Sequence, residues 1–285
     1  MSSIFFGAYL LRIGVVPKFS SPEALALAKK ILEYADSKGA EVYLDKRARK
    51  VIEWDRIFSV GTDKVDAIIV VGGDGTVLNT LHLLGEDTTP IATIRYGRRG
   101  FLCDVPPFEY GTLIDRLLEG NYRVSRYMRL QAIYEELKIP YALNEFAIVT
   151  SGEARAKVAR VSVKRDGDEL FYLVGDGVII APPVGSTAYS LAAGGPVVDP
   201  EMEAIIVTPL NPITFCSRPV VLQPSSQVVV SIAKDSPNML LIADGAFTVK
   251  LKPRDTITVR KAPTPAYFIR LYMGDYYVRL FERCM

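Results

Sequence analysis

Apolar positions in the first part of the chain follow two alternating patterns, one typical of buried strands and the other of amphipathic helices. Ala67–Val71 is a continuous apolar run, as expected for a strand in a parallel sheet covered on both faces. After the Ser-Ser-Pro-Glu sequence that begins at Ser20, apolar residues recur at helical spacing until Gly39, where we expect that helix to end. The same patterns predict further strands at Tyr9–Val16, Glu41–Leu44 and Ile91–Ile94, and further helices at Thr76–Leu84 and near Tyr110–Leu118. Strands alternating with helices indicate an open parallel sheet with helical cover.

From Tyr122 onward short strand-like runs dominate. Asp166-Gly167 and Asp244-Gly245 are dipeptides that favour hairpin turns between such runs. The predicted strands are Gln131–Glu136, Ala142–Val149, Lys157–Lys164, Leu170–Val174, Val178–Ala181, Val228–Ile232, Leu240–Ala243 and Val249–Leu251. The fold class is therefore α/β, with an N-terminal α/β nucleotide-binding domain on an open parallel sheet and a C-terminal mostly-β domain. We expect domains at 1–121 and 122–265, with an aromatic segment at 266–285 that returns to the first domain.

Composition narrows the class of protein. Of 285 residues, 49% are hydrophobic and 23% are charged, which is typical of a globular protein and excludes disorder. The 34 basic and 32 acidic residues leave a formal charge of +2, which argues against a dedicated nucleic-acid or membrane binder. We also find no apolar run long enough to cross a bilayer.

Cysteine and histidine are too few for several familiar kinds of site. The three cysteines are far apart and odd in number, so we expect a reducing cytoplasm rather than a disulfide framework. A single histidine, His82, and these cysteines do not form the usual zinc spacings, and we assign no metal ligand in the chain. A Ser-His-Asp or Cys-His centre would have to use His82 itself.

The sharpest local motif is Gly72-Gly73-Asp74-Gly75-Thr76, which lies between a predicted buried strand and a predicted helix. Glycines allow backbone amides to approach a phosphate at the start of a helix, and ligands of open α/β sheets bind at the carboxyl ends of strands. Asp74 would accept a proton from a hydroxyl nucleophile or hold a metal; the alternative is a glycine-rich turn with an Asp cap. No Walker A pattern is present, and the dinucleotide fingerprint fails because its third glycine falls at Leu78.

Two later motifs carry groups suited to a nucleotide. In Asn144-Glu145 an amide stands beside a carboxylate, a pair suited to ribose hydroxyls, although a solvated surface pair is the simpler alternative. Gly175–Pro196 runs from a strand through a Pro-Pro turn and a hydroxyl-rich segment to a double glycine. Groups around Tyr189 could hydrogen-bond to a purine and stack on it. The alternative is a strand–turn–helix joint capped by Ser and Thr.

Together these three motifs resemble those of the NAD kinases, which phosphorylate the 2′-hydroxyl of the adenosine ribose of NAD. Gly100–Leu102 and Ile242–Gly245 also fit in the family's order, so the resemblance covers roughly residues 65 to 250. The glycine-Asp motif is shared with diacylglycerol, sphingosine and 6-phosphofructokinases. Gly185–Leu191 is close to diagnostic of the NAD kinases.

The resemblance implies transfer of a phosphoryl group from ATP or polyphosphate to NAD, giving NADP. It implies Mg²⁺ or another divalent metal carried with the donor, and a homodimer or homotetramer. Asp74 would be the catalytic base, and Gly72, Gly73 and Thr76 would form the phosphate turn. The implied substrate-binding residues are Gly75, Asn144, Glu145, Arg160, Asp176, Thr187, Ala188, Tyr189, Ser190, Leu191 and Ala192.

Four positions depart from the family pattern. Arg95 stands where Asn is frequent, Cys103 where Thr is frequent, Ile213 where His is common and Ala246 where Gln is frequent. None is the proposed base, so these departures concern substrate contacts. Two alternatives remain open: another kinase of the superfamily that acts on a lipid or sugar, and a non-catalytic NAD sensor.

Overall fold

The structure is a computed structural model that describes residues 10–96, 100–151, 157–213 and 216–272. The predicted start of the first strand at Tyr9, the aromatic tail beyond Tyr272 and Cys284 lie outside the described residues. The described chain divides into two compact units, one containing residues up to 125 and from 267, the other containing residues 126–266.

The first unit is built on a seven-stranded sheet. Its strands are β1 (Arg12–Pro17), β2 (Glu41–Asp45), β3 (Ile57–Phe58), β4 (Ala67–Gly72), β5 (Ile91–Arg95), β6 (Arg123–Tyr127) and β18 (Ala266–Arg270). They stand in the order β3-β2-β1-β4-β5-β18-β6, and β1 to β5 pair in parallel. The late strand β18 lies beside β5, so the C-terminal part of the described chain is a strand of the first sheet.

Three helices accompany this sheet: α1 (Pro22–Ser37), α2 (Asp74–Leu84) and α3 (Tyr110–Glu119). Apolar residues of α1 and α3 pack with alternate residues of the strands in one core, as Ile31, Leu113 and Ile69 illustrate. The Ser21 hydroxyl accepts a hydrogen bond from the Ala24 amide, which gives α1 the cap that its sequence predicts. The parallel α/β prediction is confirmed.

The second unit contains two antiparallel sheets. One has the order β10-β9-β14-β17-β7 and the other β13-β12-β11-β8-β15-β16. The strands are β7 (Leu130–Ile133), β8 (Phe146–Thr150), β9 (Ala159–Arg165), β10 (Asp168–Gly175), β11 (Gly177–Ala181), β12 (Ile205–Leu210), β13 (Val220–Leu222), β14 (Val228–Ile232), β15 (Met239–Ala243), β16 (Phe247–Leu251) and β17 (Thr256–Lys261). A 3-10 turn (Pro183–Thr187) and α4 (Tyr189–Ala192) connect β11 to β12.

Residues from both sheets form one core, in which Val161 and Val230 of the five-stranded sheet join Ile148 and Ile180 of the six-stranded sheet. The mostly-β prediction for this unit is confirmed, and the two Asp-Gly dipeptides are hairpin turns with positive φ.

Several predicted boundaries are wrong for physical reasons. The first strand begins at Arg12, after Leu10 and Leu11. The run Gln131–Glu136 leaves its sheet after Ile133, and Glu135 has φ 49°. The helix predicted from Thr76 begins at Asp74, because Gly73 is its cap.

The predicted strand Ala142–Val149 begins only at Phe146. The amides of Leu143, Asn144 and Glu145 donate to the side chain of Asp244 instead of to a neighbouring strand. In the described ranges, no helix combines the length and apolar character needed to cross a membrane.

Candidate active site

The glycine turn lies in the first unit, where β4 ends at Gly72 and α2 begins at Asp74. Gly73 caps the helix with an extended backbone and without a side chain. The first amides of a helix have no acceptor within the helix, and Gly75 in this first turn is exposed to solvent. Arg95, at the end of β5, is the register partner of Gly72 and so lies beside the turn. The turn therefore has the local geometry that the sequence predicts, a glycine connection from a buried strand to the first turn of a helix.

The Asp74 carboxylate is held by the loop that follows β5. One oxygen accepts a hydrogen bond from the Phe101 amide at 2.7 Å, and the other accepts one from the Leu102 amide at 3.1 Å. Gly100 allows this approach, because a Cβ built there would lie 1.9 Å from Asp74 Oδ1. Two motifs that the sequence identifies separately, Gly72–Thr76 and Gly100–Leu102, are thus joined through one side chain.

Cys103, which stands where the family often has Thr, lies directly behind this turn. Its thiol is buried and donates to the Gly72 carbonyl at 3.4 Å, a contact that a threonine hydroxyl could also make. Burial, together with the negative charge of Asp74, raises the pKa of the Cys103 thiol to about 12. We therefore assign Cys103 to the support of the glycine turn, because a thiol with that pKa stays protonated at neutral pH.

In the second unit, Asp244 organises the Asn144-Glu145 motif. The Asp244 carboxylate accepts hydrogen bonds from the amides of Leu143 (3.0 Å), Asn144 (2.7 Å) and Glu145 (3.0 Å). In return, the Asp244 amide donates to the Glu145 carbonyl at 3.0 Å. The sequence identifies Asp244-Gly245 as a hairpin turn and a family motif, but it does not reveal this anchoring role.

Glu145 is a buried carboxyl group rather than part of a solvated surface pair, so that alternative is wrong for Glu145. The residue is 7% exposed, and Oε2 has no hydrogen-bond partner among the described residues. Burial and the charge of Asp244 raise the pKa of Glu145 to about 7, and a hydrogen bond from the Tyr189 amide opposes that rise. A buried oxygen without a partner is suited to a ligand hydroxyl.

The 3-10 turn after β11 packs directly on Asn144. A Cβ built on Gly185 would lie 1.6 Å from the Asn144 carbonyl oxygen, so this position requires glycine. Ser186 exchanges hydrogen bonds with the backbone of Val198, and the Ser190 hydroxyl pairs with that of Thr208 at 2.8 Å. These serine hydroxyls are buried and are satisfied within the protein.

The remaining sequence-predicted site residues differ in exposure. Tyr189 is 45% exposed, Ala192 is exposed, Ala188 and Leu191 are half-buried, and Thr187 is buried. Asp176 lies between β10 and β11 and accepts a hydrogen bond of 2.7 Å from the Asn211 side chain. The fold therefore brings Asn144, Glu145 and the segment Thr187–Ala192 together at one part of the six-stranded sheet.

Arg160 lies on the other sheet of the second unit. It is part of β9, forms an ion pair with Asp235 at 3.5 Å and is the register partner of Val174.

Within the described ranges, no group of three or more His, Cys, Asp or Glu side chains is arranged to hold a metal ion.

Two family models and several relatives match the chain. Residues 13–122 match the family model described as the ATP-NAD kinase N-terminal domain, and residues 143–271 match that of the ATP-NAD kinase C-terminal domain. The chain is 32% identical to an NAD kinase of Methanothermobacter thermautotrophicus over 276 residues, covering 96% of each chain. It is 35% identical to an NAD kinase of Thermococcus sibiricus, covering 91% of this chain and 94% of that one.

Solved structures show the same fold. An NAD kinase from Archaeoglobus fulgidus in complex with ATP has a TM-score of 0.78 and 30% identity, with 96% of this chain and 98% of that chain covered. The yeast NADH kinase complexed with NADH has a TM-score of 0.86 at 21% identity, with 96% and 86% covered, and its likeness concerns the fold alone. On the family models and these relatives, the chain belongs to the NAD kinase family.

Proposed function

We propose that this member of the family transfers a phosphoryl group from ATP or polyphosphate to the 2′-hydroxyl of the adenosine ribose of NAD, giving NADP. The observation that carries the proposal is the position of Asp74. A carboxylate stands at the first residue of a helix, beside a glycine turn, and two backbone amides fix it in place. Phosphoryl transfer depends on positioning and charge stabilisation, which such a rigid arrangement supplies.

In this proposal Asp74 orients the attacking hydroxyl and accepts its proton. Each carboxylate oxygen has one amide donor and keeps capacity for another hydrogen bond, so a hydroxyl can bind without displacing the loop. The glycine turn, with Gly72, Gly73, Gly75 and Thr76, would receive the phosphates at the exposed Gly75, since the Thr76 amide already donates to the Gly73 carbonyl at 2.9 Å. These groups are preorganised, because the loop contact holds Asp74 before substrate arrives.

We propose that Mg²⁺ or another divalent metal accompanies the donor. Mg²⁺ is usually bound by one or two carboxylates together with phosphates and waters, and it neutralises the charge of the transferred group. Asp74 fits as one such carboxylate, through the lone pairs that its oxygens keep beside the two amide contacts. The phosphates of the donor would supply the other contacts.

We propose that the second unit binds the dinucleotide. Glu145 Oε2 is buried without a partner among the described residues, so a ribose hydroxyl would satisfy it. With a pKa of about 7, this carboxyl can donate or accept at neutral pH. Asn144 and Tyr189 would add hydrogen bonds and stacking, and Asp176, Arg160 and Thr187–Ala192 complete the proposed set.

The test is a radiolabelled-donor assay with NAD and NADH as acceptors and with ATP and polyphosphate as donors. We expect labelled NADP or NADPH that depends on a divalent metal and on Asp74. Label that appeared only in a lipid or sugar would indicate the other kinase class. NAD binding without any transfer would indicate a sensor.

We also propose a homo-oligomer, as the family resemblance implies. The short strand β13 stands at the edge of the six-stranded sheet, and its Val221 is 49% exposed. An uncovered strand edge is a surface on which another chain can pair. Sedimentation at assay concentration measures the oligomeric state, and a fully active monomer would contradict the proposal.

We also propose that the reaction takes place in the cytoplasm, where the free thiols Cys103 and Cys216 would stay reduced.

A further inference from the structure

The loop that holds Asp74 is itself held by two neighbouring strands of the first sheet. We call residues 100–104 the Asp74 loop. The Leu102 carbonyl accepts a hydrogen bond of 2.9 Å from the Thr93 hydroxyl, on β5, and one of 3.4 Å from Arg270 Nη1, at the end of β18. Leu102 is therefore fixed on both sides, because its amide donates to Asp74 and its carbonyl accepts from the sheet.

The same two side chains also hold the end of the Asp74 loop. Arg270 Nη1 donates to the Asp104 carboxylate, in an ion pair whose side chains are only 10% and 7% exposed. The Asp104 amide donates to the Thr93 hydroxyl at 3.2 Å. Loss of either partner of a buried ion pair is strongly destabilising, because it leaves a charge away from water. Arg270 and Thr93 thus attach the loop to the sheet at two successive points, Leu102 and Asp104.

Arg270 comes from a part of the chain far from the glycine turn. It lies 168 residues after Leu102, and it reaches the loop because β18 is parallel to β5, with Phe268 as the register partner of Ile91. The guanidinium stacks over the fully buried Phe268 ring at 4.9 Å, which limits the conformations open to the Arg270 side chain. The C-terminal strand therefore supplies a well-fixed support for the loop.

We propose that Arg270 and Thr93 are positioning residues for Asp74, acting through the Asp74 loop. This inference rests on the proposed function, in which Asp74 orients the attacking hydroxyl. A misplacement of about 1 Å at a reacting group can lower the rate about 10²-fold, so the attachment of this loop affects turnover. The binding of NAD and of the donor does not depend on it.

The first test compares Arg270→Gln with Arg116→Gln. Arg116 is a matched control, because it also donates to a backbone carbonyl, that of Leu271 at 2.9 Å, and stacks over a ring, that of Tyr272 at 5.6 Å. Its carbonyl partner lies outside the Asp74 loop. Both variants should lower the melting temperature, since each loses a hydrogen bond and a stacking contact.

The two variants should differ in turnover. We expect Arg270→Gln to lower kcat by about 10- to 100-fold while the KM for NAD and for the donor stay within about twofold of the wild type. The kcat of Arg116→Gln should be unchanged. Equal losses of kcat in the two variants, full kcat in Arg270→Gln, or a raised KM without loss of kcat would each overturn the proposal.

The second test uses Thr93 and does not require Arg270→Gln to fold. Thr93→Val removes the hydroxyl that contacts Leu102 and Asp104, whereas Thr93→Ser keeps it. We expect kcat to fall about tenfold in Thr93→Val and to stay within about threefold of the wild type in Thr93→Ser. Equal kcat values in these two variants would contradict the proposal.

The third test asks whether Arg270 acts through Asp74. In Gly100→Ala the new Cβ would lie 1.9 Å from Asp74 Oδ1, so the carboxylate is already displaced. We expect Arg270→Gln to lower kcat less than about threefold further in that background, because residues that act through one group are not additive. Additive losses would mean that Arg270 acts independently of Asp74 and would overturn the proposal.

A measurement that needs no turnover separates this inference from the proposed reaction. Hydrogen exchange of the Phe101 and Leu102 amides reports their contact with Asp74. We expect exchange at these amides to be about tenfold faster in Arg270→Gln and unchanged in Arg116→Gln. That result without any NADP supports the positioning of Asp74, and the proposed function alone fails. Formation of NADP with kcat and exchange both indifferent to Arg270 overturns the inference and leaves the proposed function standing.

Discussion

The Phe101 amide donates a hydrogen bond of 2.7 Å to Asp74, so the loop after β5 is tied to the first residue of α2. Leu102 makes the equivalent contact to the other carboxylate oxygen. The acid of the glycine turn therefore has a structural role as well as its proposed catalytic one. A substitution of Asp74 therefore affects the loop contact as well as the proposed catalytic role.

We predict that Asp74→Asn lowers turnover by about 10²- to 10⁴-fold, the range expected for loss of a general base. The asparagine side chain cannot accept hydrogen bonds from both the Phe101 and the Leu102 backbone amides, because its NH₂ group would face one of these donors. The free energy of unfolding should therefore also fall, by about 1–3 kcal/mol. NADP formation, NAD binding and thermal melting measure these effects. Turnover close to that of the wild type would restrict Asp74 to the loop contact.

Gly100→Ala tests the position of Asp74 while keeping its charge. The new Cβ would lie 1.9 Å from Asp74 Oδ1, so the carboxylate must move. We expect a loss of turnover of about 10²-fold, as for a misplacement of about 1 Å at a reacting group. Gly111→Ala in α3 is the control, since its Cβ would meet the Tyr34 ring at 3.5 Å, an ordinary contact. Full activity of Gly100→Ala would mean that the position of the carboxylate is unimportant.

The fold could be predicted wherever local patterns are strong. Val228–Ile232 has the predicted bounds, and both Asp-Gly hairpins are formed as expected. Strands β12 and β17 were not predicted. Pro209 interrupts the β-branched run Ile205–Thr208 of β12, and the β-branched positions of Thr256–Lys261 in β17 are followed by two charged residues, so each strand signal is short. Their pairing partners elsewhere in the chain make them strands.

The site could be predicted only as separate motifs. The glycine turn can be recognised in the sequence because its conformation is determined by adjacent residues. Asp244 and Asn144 are 100 residues apart in the sequence, and Gly185 meets Asn144 only in the folded chain. The burial that raises the pKa of Glu145 comes from the same distant packing, so no local pattern could indicate it.

Tyr189→Ala should weaken NAD binding without destabilising the protein. Tyr189 is 45% exposed, so little packing is lost, whereas stacking of a base on an aromatic ring contributes about 1–3 kcal/mol. We expect the KM for NAD to rise about tenfold or more at an unchanged melting temperature. Tyr172→Ala removes a ring of similar exposure (48%) on β10 and is the control. An unchanged KM would remove Tyr189 from the site.

Asp244→Asn should destabilise the second unit more than Asp166→Asn, although both residues begin Asp-Gly turns. The buried Asp244 carboxylate accepts hydrogen bonds from three backbone amides, whereas the exposed Asp166 carboxylate accepts one backbone-amide hydrogen bond, from Gln227 at 2.8 Å. We expect a loss of about 2–4 kcal/mol for Asp244→Asn, and at most about 1 kcal/mol for Asp166→Asn. Thermal melting and NAD binding measure the two variants. Equal losses would mean that the turn, and not the three-amide contact, is what Asp244 supports.

Glu145→Gln should change how stability depends on pH. The pKa of Glu145 is raised from 4.5 to about 7, so the folded chain binds its proton more tightly than the unfolded chain does. The resulting stabilisation is complete below about pH 4.5 and is lost as pH rises through about 7. Glutamine does not titrate, so the free energy of unfolding of the wild type should fall relative to that of Glu145→Gln across this window, by about 3 kcal/mol in total. Denaturant unfolding at a series of pH values measures the difference. The matched control is Glu201→Gln, which removes an exposed carboxyl of the same unit.

Parallel pH profiles for the wild type and Glu145→Gln would show that the Glu145 carboxyl has the same pKa in the folded and the unfolded chain. A neutral Glu145 could then not be part of dinucleotide binding.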